Sequence, residues 1–162
     1  MVSNHKRGVG EEHPNGHIIQ LSAAIIFFLI WILDSFVFMV TIFIARYIPF
    51  SLRIILFLSF LVLGFFLIFR SGHLLFHKED TPSKLIKTGL YAHIRHPLYL
   101  GVLLIYLGFV IFSVSLISIF GFIIVFILYN WIATFEERDL EKLFQQEYLE
   151  YKKKVNKWIP FI

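Results

Sequence analysis

Arg95, His96 and Pro97 stand in a row between Tyr91 and Tyr99, and from Leu98 to Phe135 no charged residue follows. At the far end of that uncharged run come Glu136 and Glu137. An imidazole near neutral pH can donate or accept a hydrogen bond. A carboxylate accepts from paired hydroxyls such as those of a ribose, and tyrosine faces stabilise a cationic centre. Pro97 fits a first helical turn, where its missing N–H costs nothing, leaving the amides and carbonyls around it for a ligand. Together these groups suit a small, polar, charged molecule held at the rim of an apolar region. Taken singly each has a plainer reading: flanking cations, a solvated helix exit, an interfacial aromatic belt. Their combination and order single them out.

The elements that must position them are membrane spans. The chain has 162 residues, 58% of them hydrophobic and 20 of them Phe, against about 45–50% apolar in soluble domains. It has no cysteine, which excludes disulfides, thiolate metal sites and a cysteine nucleophile. Residues 1–17 read as a flexible polar tail with no cleavable signal peptide. The remainder, 18–162, reads as one all-α integral membrane domain of about four transmembrane helices, at 18–45, 51–70, 98–113 and 116–134. The last two form a short helical hairpin turning near residues 112–118. Pro49 turns the chain after the first span, and Asp80-Thr81-Pro82 marks a turn in the polar stretch after the second. Residues 136–158 read as an amphipathic helix, with Leu140, Leu143, Phe144, Tyr148 and Tyr151 at helical spacing.

Five basic residues (Arg70, Lys78, Lys84, Lys87, Arg95) lie between spans two and three, and four lysines (152, 153, 154, 157) follow span four. The first turn holds only Arg46 and Arg53, and the last turn none. The charge bias predicts both termini and the middle loop in the cytoplasm. It also puts His96 and Glu137 on the same membrane face, each ending one arm of the hairpin.

The run RHPLYLG (95–101), an uncharged hairpin, EERDL (136–140), EYLEYKKKV (147–155) and IPFI (159–162) resemble the isoprenylcysteine carboxyl methyltransferase family, which is related to the phospholipid methyltransferases. The resemblance covers the chain from about Lys84 onward. It implies S-adenosyl-L-methionine as cofactor, bound at the cytoplasmic end of the hairpin, with a lipophilic small-molecule or prenylated acceptor entering sideways from the bilayer. The cofactor contacts it implies are Ser83, Lys84, Leu85, Ile86, Tyr91, His96, Pro97, Leu98, Tyr99, Glu136 and Glu137. Arg95 and Asn130 are the candidates for the acceptor. The family's arginine one helical turn before the Glu pair is replaced by Ile132, which bears on carboxyl methylation rather than on cofactor binding. Transfer rests mainly on alignment and desolvation. An ionised carboxylate needs no base, whereas an amine acceptor needs one, for which Glu136, Glu137 and His96 are candidates.

Prenylcysteine-like carboxyl methylation is the expected activity. Phospholipid N-methylation, NADPH-dependent sterol or steroid reduction by enzymes with a similar hairpin, and a non-enzymatic membrane role are the alternatives. No nucleic-acid partner is expected. His73 and His77 have chelating spacing but lack a third ligand, so no metal is expected. Asp34, inside the first span, reads equally as a functional carboxylate and as a hydrogen-bonded one.

Overall fold

The computed structural model describes residues 15–76 and 85–160. The first 14 residues of the expected tail, the turn at Asp80-Thr81-Pro82, and His77, Lys78, Ser83 and Lys84 lie outside them. Helix α1 (Gly16–Ile32) continues as a π-helical turn, Leu33–Phe38. A short 3-10 helix (Phe43–Tyr47) leads into α2 (Phe50–Phe76). A second 3-10 turn (Gly89–Ala92) precedes α3 (Pro97–Ser113), and α4 (Leu116–Lys154) completes the chain. Among the described residues no strand forms; Ile94 and Asn156 make one isolated parallel bridge.

Among the described residues three helices are long and apolar enough to cross a bilayer: Gly16–Phe38, Phe50–Leu74 and Leu116–Lys154. At 17 residues α3 is shorter, roughly 25 Å at helical rise, close to the hydrocarbon thickness of a bilayer. The chain is an integral membrane protein.

Aromatic rings dominate the core, which α1, α3 and α4 share: Phe27, Trp31, Tyr99, Leu103, Tyr106, Val110, Val125, Tyr129, Ile132 and Ala133. Phe27 meets Tyr106 edge-on at 4.7 Å, and Phe28 meets Phe109 at 4.9 Å. Such edge-to-face pairs set positive ring edges against negative faces. The Trp31 indole N–H donates to the Phe109 carbonyl at 3.0 Å and to Ser113 Oγ at 3.1 Å. Helix α2 approaches α3 where both lack a side chain: a Cβ on Gly64 would stand 2.7 Å from the Gly101 carbonyl, and one on Gly101 2.7 Å from the Gly64 carbonyl. The final glycine of RHPLYLG is thus a packing residue.

The hairpin turns at Val114, whose φ of 51° is left-handed and costly for a β-branched residue. Four hydrogen bonds support it. Ser115 Oγ accepts from the Ser118 N–H at 3.0 Å, capping α4. Ser115 and Thr41 hydroxyls both donate to Asp34 Oδ2 at 2.5 Å, and the Thr41 N–H reaches Asp34 Oδ1 at 3.2 Å. Asp34 thereby ties the end of α1 to the α3–α4 turn as a hydrogen-bonded carboxylate.

The last element departs from the sequence expectation. In place of a span (116–134) and a separate amphipathic helix (136–158), α4 passes unbroken through the Glu pair, turns at Gln145 (φ 45°, ψ −118°) and ends at Lys154. The change from apolar to charged residues at 135/136 is a change of surroundings. A helix does not stop there, because neither Pro nor Gly nor a cap intervenes. Beyond Gln145 the chain folds back, so that Leu140, Tyr148, Tyr151 and Val155 pack on one another and on Leu85.

Candidate active site at the hairpin rim

Pro97 is the first residue of α3, and the His96 carbonyl accepts the first helical bond, from the Leu100 N–H at 3.0 Å. The next turn sends Tyr99 toward α4, where its hydroxyl donates to Glu136 Oε1. His96 Nε2 lies 3.2 Å from Glu137 Oε1, while Nδ1 is 3.7 Å from Glu136 Oε2, beyond hydrogen-bonding range. Residues 41 positions apart in the chain are thus joined, and His96, Tyr99, Glu136 and Glu137 are all buried.

Glu137 is 3% exposed. Three further cations face it: Arg95 Nη2 and Lys152 Nζ at 3.4 Å, and Lys157 Nζ at 3.9 Å. Burial is the largest influence on His96 and holds its imidazole below its ordinary value, against the upward pull of Glu137. The ring is therefore neutral at pH 7, donating from Nε2–H to Glu137, with Nδ1 left as an acceptor. It stacks parallel to Tyr99, centroids 5.7 Å apart, with Trp158 6.0 Å away on a tilted plane. Burial likewise pushes the Tyr91 phenol up.

The backbone of the motif is held by the C-terminal segment. The Arg95 N–H donates to the Asn156 carbonyl at 3.0 Å, and the His96 N–H to the Lys157 carbonyl at 3.4 Å. The side chains of that segment return to α4: Lys157 Nζ donates to Thr134 Oγ1 at 2.7 Å and Asn130 Oδ1 at 3.2 Å, and the Trp158 indole N–H to Asn130 Oδ1 at 3.2 Å. Burial lowers the Lys157 ammonium, the largest of its influences.

Of the residues singled out in the sequence, Arg95, His96, Tyr99, Glu136 and Glu137 come together. Pro97 is buried at the head of α3, and Leu98 packs against the core. Tyr91 enters through its carbonyl, which accepts the Tyr151 hydroxyl at 2.6 Å. Leu85 and Ile86 are buried, Leu85 in the apolar cluster beneath the C-terminal turn. Asn130 is engaged by Lys157 and Trp158. Ile132, where the resemblance expects an arginine, is fully buried in the core. Sequence reasoning missed Lys152, Lys157 and Trp158. The first two were counted only as cations that orient the chain in the membrane. Lys157-Trp158 just before Ile159-Pro160 was the available signal, an aromatic–cation pair at the end of the expected amphipathic helix.

The arrangement is a buried carboxylate pair, with cations around Glu137, the Tyr99 hydroxyl on Glu136, and the Tyr99 and Trp158 rings beside His96. Arg95 Nε and Nη1 are buried and have no hydrogen-bond partner in the protein. Buried donors of that kind are rare without a ligand or water to receive them. Such a site suits a zwitterion carrying both an anionic and a cationic group.

Residues 52–147 match the phospholipid methyltransferase family. The chain is 36% identical over 94 residues to the protein-S-isoprenylcysteine O-methyltransferase of Saccharomyces cerevisiae, covering 56% of this chain and 38% of that protein. It is 34% identical over 84 residues to methanethiol S-methyltransferase 1 of Bradyrhizobium diazoefficiens (52% of this chain, 29% of the relative). It is 30% identical over 91 residues to protein-S-isoprenylcysteine O-methyltransferase B of Arabidopsis thaliana (56% and 46%). The chain thus spans less than half the length of each of these relatives. It belongs to the phospholipid methyltransferase family, in the company of the isoprenylcysteine methyltransferases that its motifs resemble.

Proposed function

We propose that the chain is a membrane methyltransferase that uses S-adenosyl-L-methionine and methylates a carboxylate on a lipophilic, prenylcysteine-like acceptor. The observation that carries this reading is the buried set of His96, Tyr99, Glu136 and Glu137, with Arg95 paired to Glu137, at the rim of an apolar hairpin. The names of the relatives support it over a dinucleotide-dependent reductase.

The residues fit the cofactor. The unpartnered Nε and Nη1 of Arg95 suit its carboxylate, so Arg95 is read with the cofactor rather than with the acceptor. Glu136 and Glu137 suit its ammonium and ribose hydroxyls. The faces of Tyr99 and Trp158 suit its cationic sulfur. Leu85, Ile86 and Tyr91 belong to the segment that would flank it. When bound, the cofactor supplies an electrophilic methyl group. An ionised acceptor carboxylate would take that methyl as the cofactor's C–S bond gave way to a neutral thioether, so no residue here would have to move a proton. His96, neutral and pinned by Glu137, positions Glu137 and is not required as a base. Burial keeps water from competing for the methyl group. In the place of the family arginine, Lys157 offers a cation beside Asn130 and Thr134, one turn before the Glu pair, to orient an acceptor carboxylate. The cytoplasmic side is the expected face, from the lysines and arginines that accompany the site.

The test is transfer of tritiated methyl from S-adenosylmethionine to N-acetyl-S-farnesylcysteine by the purified protein. Base-labile, volatile label (a methyl ester) that disappears in Glu137→Ala supports the reading. Label on a thiol or an amine acceptor alone would replace the carboxylate in it.

A further inference from the structure

At the opposite end of the helices from the Glu pair is a cavity of about 350 Å³. It lies between the π-helical turn of α1, the 3-10 helix after it, the start of α2 and the end of α3. Its apolar walls include Phe36, Ile42, Phe50 and Phe112, and its polar groups include Arg46, Arg53 and Ser35. Arg53 Nη1 donates to the Phe112 carbonyl at 2.8 Å. Its Nε is buried without a partner, and so is the hydroxyl of Ser35, a residue only 8% exposed. From Ser35 to Phe76 and from Pro97 to Phe135 there is no acidic residue to receive these donors. The nearest carboxylate, Asp34, is occupied by Thr41 and Ser115.

Two arginines, a buried hydroxyl and a guanidinium N–H without an acceptor therefore border an apolar cavity at the end of the helices away from the Glu pair. A phosphate oxygen is the acceptor that such donors lack, and the phenylalanine walls suit the acyl chain attached to it. We propose that this cavity holds one anionic phospholipid, its phosphate on Arg53, Arg46 and Ser35 and a chain along Phe36, Phe50 and Phe112. The site is separate from the carboxylate cluster and does not depend on the methyltransferase reading.

Native mass spectrometry of the full chain released from detergent, titrated with dioleoylphosphatidylglycerol or dioleoylphosphatidylcholine, tests it. One phosphatidylglycerol should bind about tenfold more tightly than phosphatidylcholine, the size of effect expected for one charge-assisted hydrogen bond. Arg53→Gln should abolish the difference and Arg46→Gln reduce it, while Lys142→Gln, far from the cavity, should retain it. Among the described residues the Arg46 side chain makes no hydrogen bond and rests only over the Tyr47 ring, so its variant remains informative if Arg53→Gln melts early. Equal binding of the two lipids, or a preference that survives both arginine variants, overturns the proposal. So does loss of the preference in millimolar inorganic phosphate, which would make the cavity a site for free phosphate.

Discussion

Replacing Glu137 by glutamine keeps the shape of the side chain and removes its charge. His96 Nε2 lies 3.2 Å from its Oε1, Arg95 and Lys152 approach within 3.4 Å, and Lys157 within 3.9 Å. At an effective dielectric constant of about 20, two unit charges 3.4 Å apart attract by about 5 kcal/mol. Lys152 is 39% exposed, so solvent screens most of its share; Arg95, at 10% exposed, keeps more. Breaking a buried pair by removing one partner typically costs about 3–5 kcal/mol, because the other charge is left buried without compensation. Glu137→Gln should therefore destabilise the protein by about 3 kcal/mol in reversible unfolding from mixed micelles. The double variant Arg95→Gln/Glu137→Gln should recover about 1–2 kcal/mol of it, as expected for groups in one ion-pair network. A single variant within about 0.5 kcal/mol of wild type, the range of surface substitutions, would refute the picture of Glu137 as the anchor of a buried ion cluster.

Three other outcomes follow from the same geometry. Asp34→Ala leaves the Thr41 and Ser115 donors without their acceptor and should cost about 2–4 kcal/mol of stability, with ligand affinity at the distant rim unchanged in calorimetry. Gly101→Ala puts a methyl group 2.7 Å from the Gly64 carbonyl and should cost about 1–3 kcal/mol through overpacking, visible as a lowered unfolding midpoint. His96 is held below its unfolded value near 6.5 by burial, so the unfolded state binds the extra proton first. Stability should then be full above about pH 6.5 and fall as the pH drops below it; His96→Gln should flatten that slope between pH 7 and 5.

The helices and the meeting of His96 with Glu137 were legible because hydropathy marks spans and an uncharged run of that length must double back. The exact course of α4 was not. Its composition changes at Phe135, where the uncharged run ends, but its backbone changes at Gln145, a residue type that rarely adopts positive φ and gives no advance signal. The return of the C-terminal segment rests on that one turn and on backbone pairing with Arg95 and His96. Lys157 and Trp158 could therefore not be assigned to the site from spacing alone. The last glycine of RHPLYLG had no assigned purpose until Gly64 was found against it. Asp34 was ambiguous because its partners, Thr41 and Ser115, are 7 and 81 positions away.

The central claim is that the rim cluster binds S-adenosylmethionine. Calorimetric titration of the detergent-purified protein with S-adenosylhomocysteine, and separately with NADPH, tests it most directly, with His96→Ala and Glu137→Ala measured beside wild type. Saturable binding of S-adenosylhomocysteine at one site, lost in both variants, with no heat from NADPH, is the predicted result. Binding of NADPH at the same site, or of neither compound by a folded protein, would contradict it.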